Sequence, residues 1–244
     1  MSQALIIEAL RTPRGRGNDK GALRSLKPVD LLAKQLQALA EQTGIDTAQV
    51  SDAIIGCVTQ TADQGANIAK LALVRAGWSD QVPGLSINRY CASGLSAVHM
   101  AAQQAMASDG LALGGGVEMM SRVPMASDQG PLTHDVEFQQ QTMLVPIGIS
   151  ADTIATLEGF TRADVDAFAL ESQKRATAAQ AAGYFDRSVM PVKDFMGQVI
   201  LAKDEFIKPN TTLEGLAGLK PAFEQMGGMG FDAVALTRYP QVER

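Results

Sequence analysis

Ser86-Ile87-Asn88-Arg89-Tyr90-Cys91-Ala92-Ser93-Gly94-Leu95-Ser96 is the stretch that decides how this chain is read. Just upstream, Pro83-Gly84-Leu85-Ser86-Ile87 has the turn residues and short apolar run of a strand. Downstream, residues 92–107 are rich in Ala, Leu, Met and Gln, with no Pro and one early Gly, and predict a helix. Cys91 therefore falls at a strand-to-helix junction. There its sulfur is expected to meet free backbone N–H groups and the positive end of a helix dipole. Both favour a thiolate, lower the thiol pKa and make a nucleophile. Ala92, Ser93 and Gly94 are small, so another backbone or a substrate can approach closely. The same residues also fit an inert cysteine packed under a helix start, because free cysteine is among the most buried residue types. Spacing alone leaves both readings open.

Outward from this junction, strand and helix signals alternate. Residues 4–9 form a short apolar run suited to a buried strand. Pro28-Val29-Asp30 opens a helix with Leu31, Leu32, Leu36, Leu39 and Ala40 apolar, stopped by Gly44. Residues 53–58 are a second buried strand, and 66–76 a helix closed by Gly77. The strand and helix around Cys91 follow, then a fourth strand over 111–117. Such alternation predicts an α/β fold, a mostly parallel sheet between helices, with reacting groups at the carboxyl ends of its strands. Beyond residue 120 the pattern changes. Residues 121–141 read as a loop or lid, and Thr161-Arg162-Ala163-Asp164 as a capping-box variant opening a helix that ends at Gly183. Short strands are expected at 189–192 and 199–202, a helix over 211–218, and flexible chain at 227–230. Residues 1–118 are thus expected as a sheet domain, 119–235 as an inserted α+β domain, and 236–244 as a tail.

Composition narrows the function classes. The 244 residues are 46% hydrophobic and 19% charged, enough for a large core. A net charge of -5 and the lack of a basic stripe with interleaved aromatics argue against nucleic-acid binding. Arg11, Arg14, Arg16 and Lys20 read as a solvated loop rather than a phosphate site. No 18-residue apolar run predicts a membrane span, and the N-terminus lacks the pattern of a signal peptide. Two cysteines make neither a disulfide framework nor a metal cluster, so a cytoplasmic setting and no metal are expected.

Partners for Cys91 are scarce. His99 lies eight residues along the expected helix, roughly 12 Å away by helical rise, beyond hydrogen-bond reach. His134, in the polar stretch, is the remaining imidazole. Gly114-Gly115-Gly116 lacks the dinucleotide-binding spacing and reads as close backbone packing at a strand end. Glu118 reads as a structural hydrogen-bonding carboxylate, and Cys57 as a core residue.

Residues 88–97, together with Gly115-Gly116-Val117-Glu118-Met119-Met120-Ser121, resemble a thiolase. Arg11-Thr12-Pro13, Ala181-Ala182-Gly183-Tyr184-Phe185, Asp204-Glu205 and Leu219-Lys220-Pro221-Ala222-Phe223 extend the resemblance in family order over nearly the whole chain. It implies a thiolase-like N-terminal portion whose Cys91 carries an acyl group between coenzyme A thioesters. It also implies coenzyme A as substrate with no tightly bound cofactor, and a homo-oligomer in the full-length family. Residues 119–235 then correspond to the domain lying over coenzyme A, with Lys208 near its nucleotide and Ala222 and Phe223 against its pantetheine. The family's Gly-His-Pro, Asn-Glu-Ala-Phe and Cys-x-Gly-x-Gly segments are not present, nor is the Gly-Asn-x-Ser motif expected soon after residues 231–234. By this comparison the C-terminal half is absent, as are the last helix and strand of the first half. The Met-Gly-x-Thr-Ala-Glu segment appears as Ile147-Gly148-Ile149-Ser150-Ala151-Asp152. Three readings follow: an acyl-CoA acyltransferase represented by its N-terminal part, a non-catalytic relative, or half of an enzyme completed by a second chain.

Overall fold

The alternating signals of the first half fold into a parallel three-stranded sheet. In the computed structural model, which describes residues 3–108 and 110–242, β1 (Val50–Gly56) lies between β2 (Gly84–Ile87) and β3 (Leu111–Gly116). Ala53 stands opposite Gly84 on one side and Leu113 on the other. Helices α1 (Pro28–Thr43), α2 (Ile68–Ala76) and α3 (Ser93–Ser108) connect and cover the strands. Their ends follow local chemistry. Pro28 opens α1, whose lost N–H has no intrahelical partner to miss, and Gly44 closes it at φ 66°. The Asn67 side chain caps α2 by accepting from the Lys70 N–H, and Gly77 ends it at φ 74°.

Neighbouring β1 residues point to opposite faces, as the two-residue period of a strand requires. Ala53 and Ile55 pack with Leu32 and Leu36 of α1 and with Ile68, Ala69, Ala72 and Leu73 of α2. Ile54 packs with Ala97 and Ala101 of α3. The helix after Cys91 thus covers one face of the sheet and α1 and α2 cover the other. On the α3 side, contact is between backbones. A Cβ on Gly114 would stand 2.6 Å from the Val98 Cα, and one on Gly56 would stand 2.5 Å from the Ser93 carbonyl carbon.

One expected strand does not form. Residues 4–9 belong to no sheet, and Leu5 and Ile6 are 81% and 82% exposed. An apolar run becomes a strand only when a neighbour supplies hydrogen bonds; among the described residues the first such contact is at Arg11, which bridges to Val189. The short strands β4 (Val192–Lys193) and β5 (Val199–Leu201) form an antiparallel pair.

The chain divides into two units, and the division departs from the expected limits. Residues up to Asp128 and Phe185–Phe206 form the first unit; Gln129–Tyr184 and residues from Ile207 onward form the second. Packing explains why 119–128 and 185–206 join the sheet. Met119 and Val192 share a buried cluster with Leu23 and Leu31, flanked by Leu26, Ile200 and Leu201. Asp204 clamps Arg11 through two bonds of 2.7 and 2.9 Å and accepts the Arg14 N–H at 2.8 Å. Glu205 accepts the Arg16 N–H at 2.7 Å. The basic segment expected as a solvated loop is therefore tied down by two acids, with the Arg11 guanidinium also 5.4 Å from the centroid of the Phe185 ring.

The second unit, described by itself, is helical among its described residues rather than α+β, because β4 and β5 belong to the first. It contains α4 (Pro131–His134), α5 (Val136–Thr142), α6 (Ile147–Glu158), α7 (Arg162–Ala181), α8 (Leu213–Ala217), α9 (Glu224–Met226) and α10 (Asp232–Arg238). The loop expected over 121–141 is thus partly helical, with the Asp135 side chain capping α5 through the Phe138 N–H. The Thr161–Asp164 capping box forms as expected, both reciprocal bonds being present. Residues 227–230, expected to be flexible, join α9 to α10 through a kink at Gly230, φ 113°, and a Cβ on Gly227 would stand 2.5 Å from the Asp232 carboxylate oxygens. Helix α10 crosses into the expected tail, of which residues 243 and 244 lie outside the described residues. Among the described residues no single helix is long and apolar enough to cross a membrane.

Two outcomes are expected. Gly56→Ala drives a methyl into the α3 backbone and lowers stability by about 1–3 kcal/mol in urea unfolding. Asp204→Asn costs about 1–2 kcal/mol at neutral pH, since it leaves Arg11 and the Arg14 N–H with a weaker acceptor. The Arg11 hydrogen bond holds the Asp204 carboxyl below its ordinary value. Its contribution is therefore complete above the unfolded pKa of about 3.9 and is lost as pH falls from there through the lowered folded value. Urea titrations of both proteins should converge in that acid range.

Candidate functional site

The strand pairing runs one residue past the carboxyl ends of the sheet, with Cys57 N–H on the Ile87 carbonyl and Val117 N–H on the Gly56 carbonyl. The turn between β2 and α3 is built there. Asn88 Oδ1 accepts the Tyr90 N–H at 2.8 Å, and Tyr90 takes a left-handed conformation, φ 48°. Buried Ser93 fastens the far side: its hydroxyl donates to the Tyr90 carbonyl at 2.6 Å and accepts the Arg89 N–H at 2.8 Å. Cys91 rides on this turn with its residue exposed. The expectation of free N–H groups at the helix start is corrected in part. The Ala92 and Ser93 N–H groups donate to the Arg89 and Tyr90 carbonyls, so the turn consumes them.

The chain's two thiols are set apart by environment. Cys57, at the end of β1, is buried, and its thiol is pushed up to about 12 by burial and then by the Glu118 charge. It is the inert core cysteine that its flanking residues predicted. The buried alternative for Cys91 is removed by its exposure. Glu118 is the hydrogen-bonding carboxylate expected, accepting from the Val58 N–H at 2.8 Å and from Gln64 Nε2 at 2.7 Å. Gly116 lies against the helix start, where an added Cβ would stand 3.4 Å from the Gly94 Cα.

The other candidates stand elsewhere. His99 is exposed on α3, and His134 closes the short α4 of the second unit. Lys208, Ala222 and Phe223 are also in the second unit. Lys208 is exposed and its N–H donates to Gln173 Oε1 at 2.7 Å. Ala222 is exposed, while the half-buried Phe223 ring covers Gly148, where an added Cβ would meet it at 2.1 Å. Gln64, fully buried beside Glu118, was not singled out from sequence, since a glutamine in a polar run gives no periodic signal. Asn88 was not singled out as a turn former either, although asparagine two residues before a bend is a signal for one.

The turn thus presents an exposed cysteine at the strand ends of a parallel sheet, where reacting groups gather in such folds. The chain belongs to the thiolase family: the family model described as "Thiolase, N-terminal domain" matches residues 4–231. Among curated proteins it is 37% identical to a β-ketoadipyl-CoA thiolase of Pseudomonas putida, over 91% of this chain and 60% of that protein. It is 37% identical to a 3-ketoacyl-CoA thiolase of Escherichia fergusonii, over 93% of this chain and 60% of that protein. Among solved structures, the dimeric peroxisomal thiolase of Saccharomyces cerevisiae superposes with a TM-score of 0.80 at 28% identity, covering 91% of this chain and 58% of that one. The chain therefore spans about 60% of the length of the curated relatives it matches.

Iodoacetamide is expected to label Cys91 in the native chain and to reach Cys57 only after denaturation, because Cys57 is both covered and protonated at neutral pH. Peptide mass spectrometry of labelled samples with and without urea checks this.

Proposed function

We propose that this chain is the acyl-carrying part of a thiolase-type acyl-CoA acyltransferase, with Cys91 as its nucleophile. In the cleavage direction the Cys91 thiolate attacks the C3 carbonyl carbon of a 3-oxoacyl-CoA. The C2–C3 bond breaks, and its electron pair leaves as the acetyl-CoA enolate, which takes up a proton. The shortened acyl group remains as a thioester on Sγ. The thiolate of a second coenzyme A then attacks that thioester and displaces the Cys91 thiolate. Run in reverse, the same steps join two acyl-CoA molecules. A thiolate suits both halves because it is a strong nucleophile and a good leaving group.

The observation that carries this reading is the contrast between the two cysteines of a thiolase-family chain, one exposed on a strand-end turn and one sealed in the core. Coenzyme A enters as substrate, with Lys208 proposed near its nucleotide and Ala222 and Phe223 against its pantetheine; no tightly bound cofactor is part of the proposal. A homo-oligomer is proposed from the structural relative whose title calls it dimeric. A cytoplasmic setting is proposed from the two free cysteines.

A specific observation favours a second reading, in which another polypeptide completes the site. The helix that follows Cys91 presents Leu95, Val98 and Met106 to solvent, with Leu95 61% exposed, and an exposed apolar stripe of this kind favours association. Proton shuttles and oxyanion donors commonly supply several kcal/mol of barrier lowering, and His99, roughly 12 Å along the helix, does not reach Cys91. The chain alone is therefore expected to show no appreciable thiolysis of acetoacetyl-CoA. Mixed with the remaining portion of the Pseudomonas putida relative, it should turn this substrate over and show an acyl adduct on Cys91. Both signals should vanish in Cys91→Ala. Turnover by the chain alone would sink the second reading, and turnover by the mixed Cys91→Ala protein would sink the first.

A further inference from the structure

Glu118 leaves the end of β3 with its carboxylate engaged by three donors: Gln64 Nε2 at 2.7 Å, the Val58 N–H at 2.8 Å and the Thr59 N–H at 3.4 Å. Gln64 is itself locked. It also donates to the Thr59 carbonyl at 3.0 Å, and its Oε1 accepts the Met119 N–H at 2.6 Å. Val58 is then held from both sides, because its carbonyl accepts from Asn88 Nδ2 at 3.1 Å. The other end of the Asn88 amide accepts the Tyr90 N–H at 2.8 Å. An unbroken line of hydrogen bonds thus runs from buried Gln64 through Glu118, Val58 and Asn88 to the residue before Cys91.

Backbone strain marks the same line. Ala62 and Ala66, on either side of Gln64, have φ of 47° and 55°, and Tyr90 has φ of 48°. Such conformations cost non-glycine residues of order 1 kcal/mol or more and persist where the surroundings over-determine them. Here the polar line supplies that determination. Hydrophobic packing alone does not place a side chain on an exposed turn, and Asn88, Tyr90 and Cys91 are all exposed.

We propose that Gln64, Glu118 and Asn88 are positioning residues for Cys91, fixing the left-handed Tyr90 turn that aims its thiol. The proposal rests on Cys91 being the nucleophile, and its test reads the reactivity of that thiol rather than turnover.

The experiment follows iodoacetamide alkylation of Cys91 in the full chain against pH, with labelling of buried Cys57 as the monitor of folding. Asn88→Ala and Glu118→Gln should slow Cys91 alkylation at neutral pH by about threefold or more and change its pH profile, with Cys57 still protected. Asn88→Ser should recover part of the Asn88→Ala loss, since its hydroxyl still accepts the Tyr90 N–H. Cys91 alkylation with the original rate and profile in both Asn88→Ala and Glu118→Gln, with Cys57 protected, would overturn the proposal. So would a lowered melting temperature with an unmoved profile, the mark of a purely structural brace. If Glu118→Gln unfolds and exposes Cys57, the exposed Asn88 position decides alone. An unreactive Cys91 in the unaltered chain would instead overturn its assignment as nucleophile.

Discussion

The structure depends on how closely the backbone of α3 lies on the sheet. At Gly56 and Gly114 there is no room for a single added carbon between strand and helix. That approach pins the first turn of α3 at the carboxyl ends of β1 and β3. The five residues from Asn88 to Ala92 must then climb from β2 to the helix in a very short span, and Tyr90 bends into the left-handed region to do so. Cys91 is exposed because the next residues to be buried, Ser93, Ser96 and Ala97, are already committed to the sheet side. Small residues at the interface thus have a chemical outcome: they set where a sulfur atom stands.

Polarity does the finer work. Glu118 stays outside the apolar core, yet every bond it accepts comes from the neighbouring strand end or from buried Gln64. Its charge and the burial around β1 act together on Cys57 and hold that thiol protonated. On the opposite side of Val58 the same network reaches the turn of Cys91. The two cysteines therefore differ in surroundings, Cys57 sealed in the core and Cys91 exposed on its turn.

The parallel sheet was legible because its signals are local. Pro28, Gly44 and Gly77 mark helix ends through backbone geometry that those residues favour, and each does so in the structure. The place of Cys91 between a strand and a helix was legible from the signals on either side of it. What was not legible depends on partners distant in sequence. Residues 4–9 have the composition of a strand, but composition cannot reveal whether a neighbour is present to pair with them. The limits of the first unit were missed because Val192 and Asp204 return to Leu23 and Arg11 across more than 160 residues. Helices α4 and α5 were hidden in a segment whose Pro, Gly and Asp residues read as loop, although Asp135 there serves as a cap. Gln64 was missed for the same reason as the returning segment, because its role exists only once Glu118 is beside it.

The Arg11–Asp204 clamp joins residues 193 positions apart, and this bears on how the molecule is made. A ribosome delivers the sheet strands and the Cys91 helix long before it delivers β4, β5 and Asp204. Until then Leu23, Leu31 and Met119 lack the side chains that cover them, and the arginines near the N-terminus lack their acids. Closing so long a loop is entropically costly and comes late. The turn that bears Cys91 is thus assembled early in synthesis, while the unit that houses it is sealed only when residues 185–206 have emerged.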